Sequence, residues 1–199
     1  MNGGVPPEVR DRFRSALVGF LSKDGDLLGL NVNERSITHC LAEHLHEAFP
    51  DYNVDCEYNR QGNETKRLPV GPTDCRSDDL DAVTVYPDII IHKRGVQDNN
   101  LLVIEVKKSN ARNCSADNER DINKLQGFTD PRGEYRYKVG VFLILDVNNK
   151  GQGTVRWFIA GEPLGEPVGI ADMLADLPAP VCPTGRPQSE AARQTGVTK

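Results

Sequence analysis

Two stretches decide the fold of this chain: YPDIII at residues 86–91 and LLVIEVKK at residues 101–108. Both are apolar enough to form buried β-strands, yet each carries charge where a plain core strand would carry another Val or Ile. A buried charge is costly unless it is paired or bound to a metal. The pattern therefore predicts that Asp88, Glu105 and Lys107 belong to a site.

The spacing within the second stretch gives this site a geometry. Side chains alternate faces along a strand, so Glu105 and Lys107 project from the same side, about 6.5–7 Å apart. If the two stretches form neighbouring strands, Asp88 reaches the same place. Two carboxylates and an ammonium group around one point suit a divalent cation and a phosphate.

Length and composition predict one globular domain. The chain has 199 residues, 38% hydrophobic and 27% charged, which is enough for a single core with a remainder for tails. No apolar run approaches the roughly 20 residues of a membrane span, and the N-terminus lacks a signal-peptide pattern. We expect a domain over residues 1–177, no membrane partner and a cytoplasmic location. Residues 178–199 have almost no apolar content and are expected to form a disordered tail.

Cysteine, histidine and charge exclude several classes of site. Five cysteines without CxxC spacing argue against a disulfide framework and a zinc site, and favour free thiols. The four histidines form no metal pattern and are interpreted as structural or surface residues. With a net charge of -5, any nucleic-acid contact must use local basic patches. Candidates bordering the site are Arg60, Lys66, Arg67, Lys93, Arg94, Lys108 and Arg112.

Periodicity predicts the remaining elements. Helices are expected over residues 7–21, from Asn31 or Asn33 to Pro50, and from residue 115 or 117 to 128. Strands are expected over residues 54–58, 83–92, 101–108, 139–147 and 154–160, with a polar loop at 61–67, a connector at 71–82 and a short amphipathic piece at 169–177. This order predicts an α/β domain with a mixed sheet and helices on its faces.

The pair Pro87-Asp88, followed by Glu105-Val106-Lys107 on the next strand, resembles the PD-(D/E)XK signature of the restriction-endonuclease-like nuclease superfamily. The resemblance includes the order α-β-β-β-α-β and covers about residues 31–160. It implies a restriction-endonuclease-like core, with the first helix as an N-terminal addition.

Site residues follow from the resemblance by position. Asp88 and Glu105 match the metal-binding carboxylates of the superfamily, and the carbonyl of Val106 would be a further ligand. Lys107 matches the lysine that positions water or stabilises charge on the phosphate. Since the reference pKa of lysine is near 10.4, we favour a role in which it stays cationic. Glu34 matches the acid that many members carry in the preceding helix, although favourable interaction with the helix dipole also explains it.

Charged residues on the later helix add weaker candidates. Asp117, Asp121 and Lys124 share one face because they are four and three residues apart, which is typical of a ladder of solvated ion pairs. In the superfamily, the helix after the (D/E)XK strand often lends a Lys or Gln to the site. The resemblance therefore adds Lys124 and Gln126 as accessory candidates.

Taken together, the resemblance implies a Mg²⁺- or Mn²⁺-dependent phosphodiesterase that acts on DNA. Many relatives dimerise to cut two strands, so a homodimer is one expectation for the assembly. Two other interpretations stay open. The chain can be a catalytically inactive module of the same fold that binds nucleic acid or assembles with a partner. It can also be an unrelated α/β domain in which the three charged residues point to different places.

Overall fold

The computed structural model describes residues 4–30, 32–58, 60–61, 64–65, 67–68, 83–84, 86–96, 99–109, 115–149 and 151–175. The helices are α1 (Pro7–Lys23), α2 (Asp26–Gly29), α3 (Glu34–Ala48), α4 (Ser115–Thr129) and α5 (Ile170–Leu174). The strands are β1 (Asn53–Cys56), β2 (Arg60–Gln61), β3 (Glu64–Thr65), β4 (Arg67–Leu68), β5 (Val83–Thr84), β6 (Ile89–His92), β7 (Leu102–Lys108), β8 (Val139–Leu145), β9 (Gly153–Ile159), β10 (Glu162–Pro163) and β11 (Val168–Gly169).

A mixed, open sheet forms the centre of the fold. Its strand order is β1-β6-β7-β8-β9-β10, with β11 also paired to β9. Strands β7 and β8 run parallel, and the other neighbours run antiparallel. The parallel pair is connected through α4, as a parallel pair requires a crossover connection. The expected α/β architecture, with a mixed sheet flanked by helices, is confirmed.

The alternation of side chains along β7 separates two cores. Leu102, Ile104 and Val106 are buried in the larger core, on the side of α1 and α3. Val103 belongs to a second core with Leu125 and other residues on the side of α4. Because facing alternates at every residue, the next side chains on the α4 side are those of residues 105 and 107.

Helix α3 follows the predicted pattern closely. Its N-cap is Asn33, whose side chain accepts a hydrogen bond from the Ser36 amide at 2.8 Å. Ile37, Leu41 and Leu45 step by four along its buried face. This packing fixes the first residue of the helix, Glu34, relative to the sheet.

Several boundaries differ from the sequence prediction. The strand expected over 83–92 is two elements, β5 and β6, so Asp88 lies just before β6. The loop expected at 61–67 is wrong in part, because two-residue strands form there: β2 pairs with β3, and β4 pairs with β5. Helix α2 and strands β10 and β11 were not predicted. The connector at 71–82 and the tail at 178–199 lie outside the described residues.

Two further expectations concern single residues and helix length. Cys40 and Cys56 are free thiols, as predicted. Among the helices that the structure describes, none combines the length and apolar character needed to cross a membrane.

Candidate functional site

The site begins where β7 extends beyond its neighbour β6. Pairing between the two strands stops after Ile104, which leaves backbone N–H groups of β7 without a strand partner on that edge. Two carboxylates accept hydrogen bonds from these groups. The Val106 amide donates to Asp88 Oδ2 at 2.7 Å, and the Lys108 amide donates to Glu34 Oε1 at 3.2 Å. Amides 106 and 108 are about 6.5–7 Å apart along the strand, so both acids lie at one end of the sheet.

Asp88 is held from two sides. Its side chain accepts the Val106 amide, and its own carbonyl accepts the Glu57 amide at 3.1 Å. Ile89 pairs with Ile104, so continuing the antiparallel register by one residue sets Asp88 opposite Glu105. The predicted convergence of these two acids is therefore built into the strand register.

Glu105 is buried in the α4-facing side of the sheet, with 1% of its surface exposed. Its Oε2 lies 3.6 Å from Lys124 Nζ. Its Oε1 is buried and has no hydrogen-bond partner among the described residues. Burial, reinforced by repulsion from Asp88, raises the pKa of Glu105 well above its usual range.

The Lys107 side chain points toward α4 and forms an ion pair with Asp121. Lys107 Nζ lies 2.8 Å from Asp121 Oδ2, and Lys124 Nζ lies 2.6 Å from Asp121 Oδ1. Burial alone would lower the pKa of both lysines, but the carboxylates beside them outweigh it and raise each pKa above its usual value. Both ammonium groups therefore remain charged at neutral pH, which fits a cationic role for Lys107 rather than a general base.

The structure brings together most of the predicted site residues. Burial raises the pKa of Asp88, while the Val106 amide and the ammonium groups of Lys107 and Lys124 lower it. Asp88 thus interacts with the same groups that surround Glu105. The alternative in which Asp88, Glu105 and Lys107 point to different places does not fit this arrangement.

The accessory candidates divide. Lys124 contacts Glu105 and belongs to the cluster. Gln126 lies two residues further along α4, about 200° around the helix from Lys124. Its carbonyl contacts Thr129 Oγ1 at 3.4 Å, and its backbone lies near Gly161. The structure therefore places Gln126 away from the cluster. The predicted ligand role of the Val106 carbonyl stays a prediction.

Sequence reasoning missed Asp121 as a site residue. The solvated ion-pair ladder expected on α4 is wrong at this position, because Asp121 has only 3% of its surface exposed. A signal was present in the sequence: Asp121, Leu125 and Phe128 are four and three residues apart, which places Asp121 on the same face as two core residues.

The basic residues expected to border the site also divide. The Lys108 amide lies at the site, but by alternation its side chain is on the opposite face of β7 from Glu105 and Lys107, where Nζ donates to the Val32 carbonyl at 2.8 Å. Lys93 and Arg94 lie at the opposite end of β6 from Asp88, where Arg94 pairs with Asp55 and the Lys93 ammonium lies over the Tyr52 ring. The side chains of Arg60, Lys66, Arg67 and Arg112 lie outside the described residues.

Two of the four histidines have structural partners and two, His39 and His46, are exposed, which fits the expected structural or surface roles. His44 Nε2 lies 2.7 Å from Asp24 Oδ2, and His92 Nε2 lies 2.8 Å from Asp55 Oδ2. His39 is exposed and lies 3.7 Å from Glu43.

The donor set at the sheet end fits a magnesium-type cation. Hard oxygen ligands are what Mg²⁺ and Mn²⁺ prefer, and Mg²⁺ sites typically use one or two carboxylates with water and substrate oxygens completing the shell. Asp88 and Glu105 would provide those carboxylates, and Glu105 Oε1 is a buried acceptor that no described group satisfies. Over the described part of the chain, no cluster of three or more His, Cys, Asp or Glu is arranged to hold a metal.

No protein-family model, curated protein or solved structure matches this chain. Its function must therefore be inferred from the chemistry of the site.

Proposed function

We propose that the chain is a metal-dependent nuclease that hydrolyses phosphodiester bonds in DNA. Asp88 and Glu105 would hold Mg²⁺ or Mn²⁺, and Lys107 would act as the cation that faces the phosphate. The observation that carries the proposal is the buried Glu105 carboxylate, with one oxygen that no described group satisfies, beside a second carboxylate and two ammonium groups. Buried polar groups without partners are rare, and strongly perturbed titratable clusters are concentrated at functional sites.

Each residue has a distinct task in this proposal. The amides of Val106 and Glu57 fix Asp88, so its second oxygen, Oδ1, would be presented to a cation without further reorganisation. Burial restricts the conformations of the Glu105 side chain. Lys107 keeps its positive charge and can orient water or stabilise negative charge that develops on the phosphate. When bound, a divalent cation supplies a more acidic water and relieves charge on the phosphate oxygens.

The element order supports a restriction-endonuclease-like core as part of this proposal. With the two-residue strands β2–β5 set aside, α3, β1, β6, β7, α4 and β8 follow the order α-β-β-β-α-β. The two halves of the motif lie just before β6 and on β7, which are adjacent strands. DNA as the substrate, the cytoplasm as the compartment and a homodimer as the assembly rest on the resemblance of the motif to the superfamily.

Plasmid cleavage with Mg²⁺ or Mn²⁺ tests the proposal. Asp88→Asn keeps an acceptor for the Val106 amide but removes the charge, and Lys107→Met removes the ammonium group. Each is expected to lower the cleavage rate about 10²–10³-fold, the range seen when a stabilising group is removed. The matched control is Lys138→Met, an exposed lysine just before β8 at the opposite end of the sheet. Metal-dependent cleavage that persists in both site variants contradicts the assignment.

The alternative is an inactive module of the same fold, which binds nucleic acid or a partner. One observation favours it: the ammonium groups of Lys107 and Lys124 lie near the carboxylates of Asp88 and Glu105 and offset their charge. Calorimetric titration with Mn²⁺ separates the two. The nuclease proposal predicts binding heat that Asp88→Asn removes, whereas the inactive module predicts no Asp88-dependent heat.

A further inference from the structure

Asp121 is a buried carboxylate that no superfamily motif accounts for in this chain. It lies on the inward face of α4, with 3% of its surface exposed. Burying a carboxylate costs several kcal/mol unless its oxygens are well paired. A residue needed only to dock the helix could be apolar, like Leu125 one turn later.

The two oxygens of Asp121 bind two different ammonium groups. Oδ2 contacts Lys107 on β7, and Oδ1 contacts Lys124 on α4 itself. The carboxylate thus stands between the lysine of the proposed active site and a second lysine that reaches Glu105. Each ammonium pairs with its own oxygen of Asp121, and it is Lys124 that also lies 3.6 Å from Glu105.

The length of lysine explains why such a restraint matters. Its ammonium group ends a flexible four-carbon chain with large rotamer freedom. Asp88 and Glu105 both attract the Lys107 ammonium electrostatically. Without Asp121, the Lys107 ammonium can pair with those carboxylates and occupy the space in which a metal and a phosphate would bind.

We propose that Asp121 is a positioning residue of the site, which holds the Lys107 ammonium away from the metal-binding carboxylates and directed at the phosphate. This inference rests on the proposed nuclease function. Asp121 acts through Lys107 and touches neither metal nor substrate.

A double-mutant cycle distinguishes this role from helix docking. We would measure kcat and KM for plasmid DNA at saturating Mn²⁺, and Mn²⁺ affinity by calorimetry without DNA, in wild type, Asp121→Asn, Lys107→Met and the double variant. Asp121→Asn should weaken Mn²⁺ binding, because the released Lys107 ammonium competes for the carboxylates, and should not weaken it in the Lys107→Met background. Misplacement of a catalytic group by about 1 Å can lower the rate about 10²-fold, so Asp121→Asn is expected to lower kcat about 10–100-fold. KM should change less than about twofold. In the Lys107→Met background, the same substitution should change kcat less than about twofold, because its route of action is gone.

The control is Glu119→Gln, which removes a charge from an exposed position on the same helix and should leave kcat unchanged. The inference is overturned if Asp121→Asn leaves kcat unchanged or changes KM alone. It is also overturned if the effects of Asp121→Asn and Lys107→Met on kcat are independent and multiply in the double variant. If Asp121→Asn does not fold, the double change Asp121→Ser with Lys124→Met removes one negative and one positive group. This double variant is then compared in the presence and absence of Lys107→Met, and Lys124→Met alone replaces wild type as the reference.

The two levels of the proposal fail differently. Wild-type protein that cleaves DNA in an Asp88-dependent manner, but is indifferent to Asp121→Asn, leaves the nuclease proposal standing and removes this inference. Wild-type protein without metal-dependent cleavage overturns both.

Discussion

Replacing Glu105 by glutamine should make the metal-free protein more stable while abolishing its activity. The carboxylate is almost fully buried, and one of its oxygens has no partner among the described residues. Glutamine has nearly the same shape but carries no charge. The substitution therefore removes the cost of burying an ion without opening a cavity.

The magnitude follows from opposing terms. At 3.6 Å, the attraction between Glu105 and the Lys124 ammonium is about 5 kcal/mol with an effective dielectric constant of about 20. Desolvation of the carboxylate opposes it by several kcal/mol, and Asp88 and Asp121 add repulsion. The raised pKa of Glu105 indicates that desolvation and repulsion together outweigh the attraction to Lys124. We expect a net gain on the order of 1 kcal/mol, or about 2–4 °C in melting temperature for a chain of this size.

The gain must depend on pH with a definite sign. The folded-state pKa of Glu105 lies well above the usual glutamate value of 4.5. Its contribution to stability is therefore present below about pH 4.5 and is lost as pH rises through the folded-state value. The stability difference between Glu105→Gln and wild type should be small at pH 4.5 and grow toward pH 8.

Thermal melts in EDTA at pH 4.5, 6 and 8 measure this difference, and plasmid cleavage measures activity in parallel. Adding Mn²⁺ should raise the melting temperature of wild type but not of Glu105→Gln, since only a metal-binding folded state is stabilised by metal. A variant that is less stable than wild type at pH 8 in EDTA would refute the reasoning, because it would mean that the carboxylate stabilises the fold.

Two further predictions concern the scaffold. Burial alone would raise the pKa of Asp55, but hydrogen bonds from Arg94 and His92 outweigh it and lower that pKa below 3.8. Asp55→Asn should therefore lower the unfolding free energy by about 1.5–3 kcal/mol at pH 7. Urea unfolding at pH 7 and pH 3 should show that this loss shrinks as pH falls below 3.8. Gly153 has a φ of 129°, and a Cβ there would lie 2.0 Å from the carbonyl oxygen of residue 144, so Gly153→Ala should lower the unfolding free energy by at least about 2 kcal/mol. Gly151→Ala is its control, because φ is 81° there but, chain neighbours aside, no atom of the described residues lies within 4 Å of a Cβ. An equal loss in both variants would contradict the steric explanation.

Local patterns were sufficient for the main helices and the central strands. The steps of four from Ile37 to Leu45 and the cap at Asn33 are properties of neighbouring residues, so α3 could be predicted closely. The apolar run in β7 is similarly local. Its embedded charges, Glu105 and Lys107, pointed to a site because the cost of burying a charge is independent of the fold.

Non-local pairing explains what the sequence did not show. Two-residue strands such as β2 and β3 exist through their partners and leave no periodicity to detect. Asp88 was expected inside a strand, but it lies just before β6, where its side chain accepts a hydrogen bond from a backbone amide of β7. Arg94 was grouped with the site residues, yet it pairs with Asp55 on β1, a partner 39 residues away in the sequence.

Asp121 shows how a pattern can be present and still be outweighed. Its spacing to Leu125 favours burial, whereas its spacing to Lys124 favours an exposed ion pair. The structure satisfies both, because the pair is buried together with Lys107. Such an outcome requires a third charge from another element, and the sequence alone does not indicate which element lies opposite.

The most direct test of the account is anomalous diffraction from crystals soaked in Mn²⁺. We predict a manganese peak at the end of β7, bonded to Asp88 and Glu105 at about 2.0–2.2 Å, with the Lys107 ammonium still held by Asp121 beside it. Manganese bound only elsewhere on the protein, or an empty sheet end at saturating Mn²⁺, would contradict the claim that these carboxylates form a metal-dependent active site.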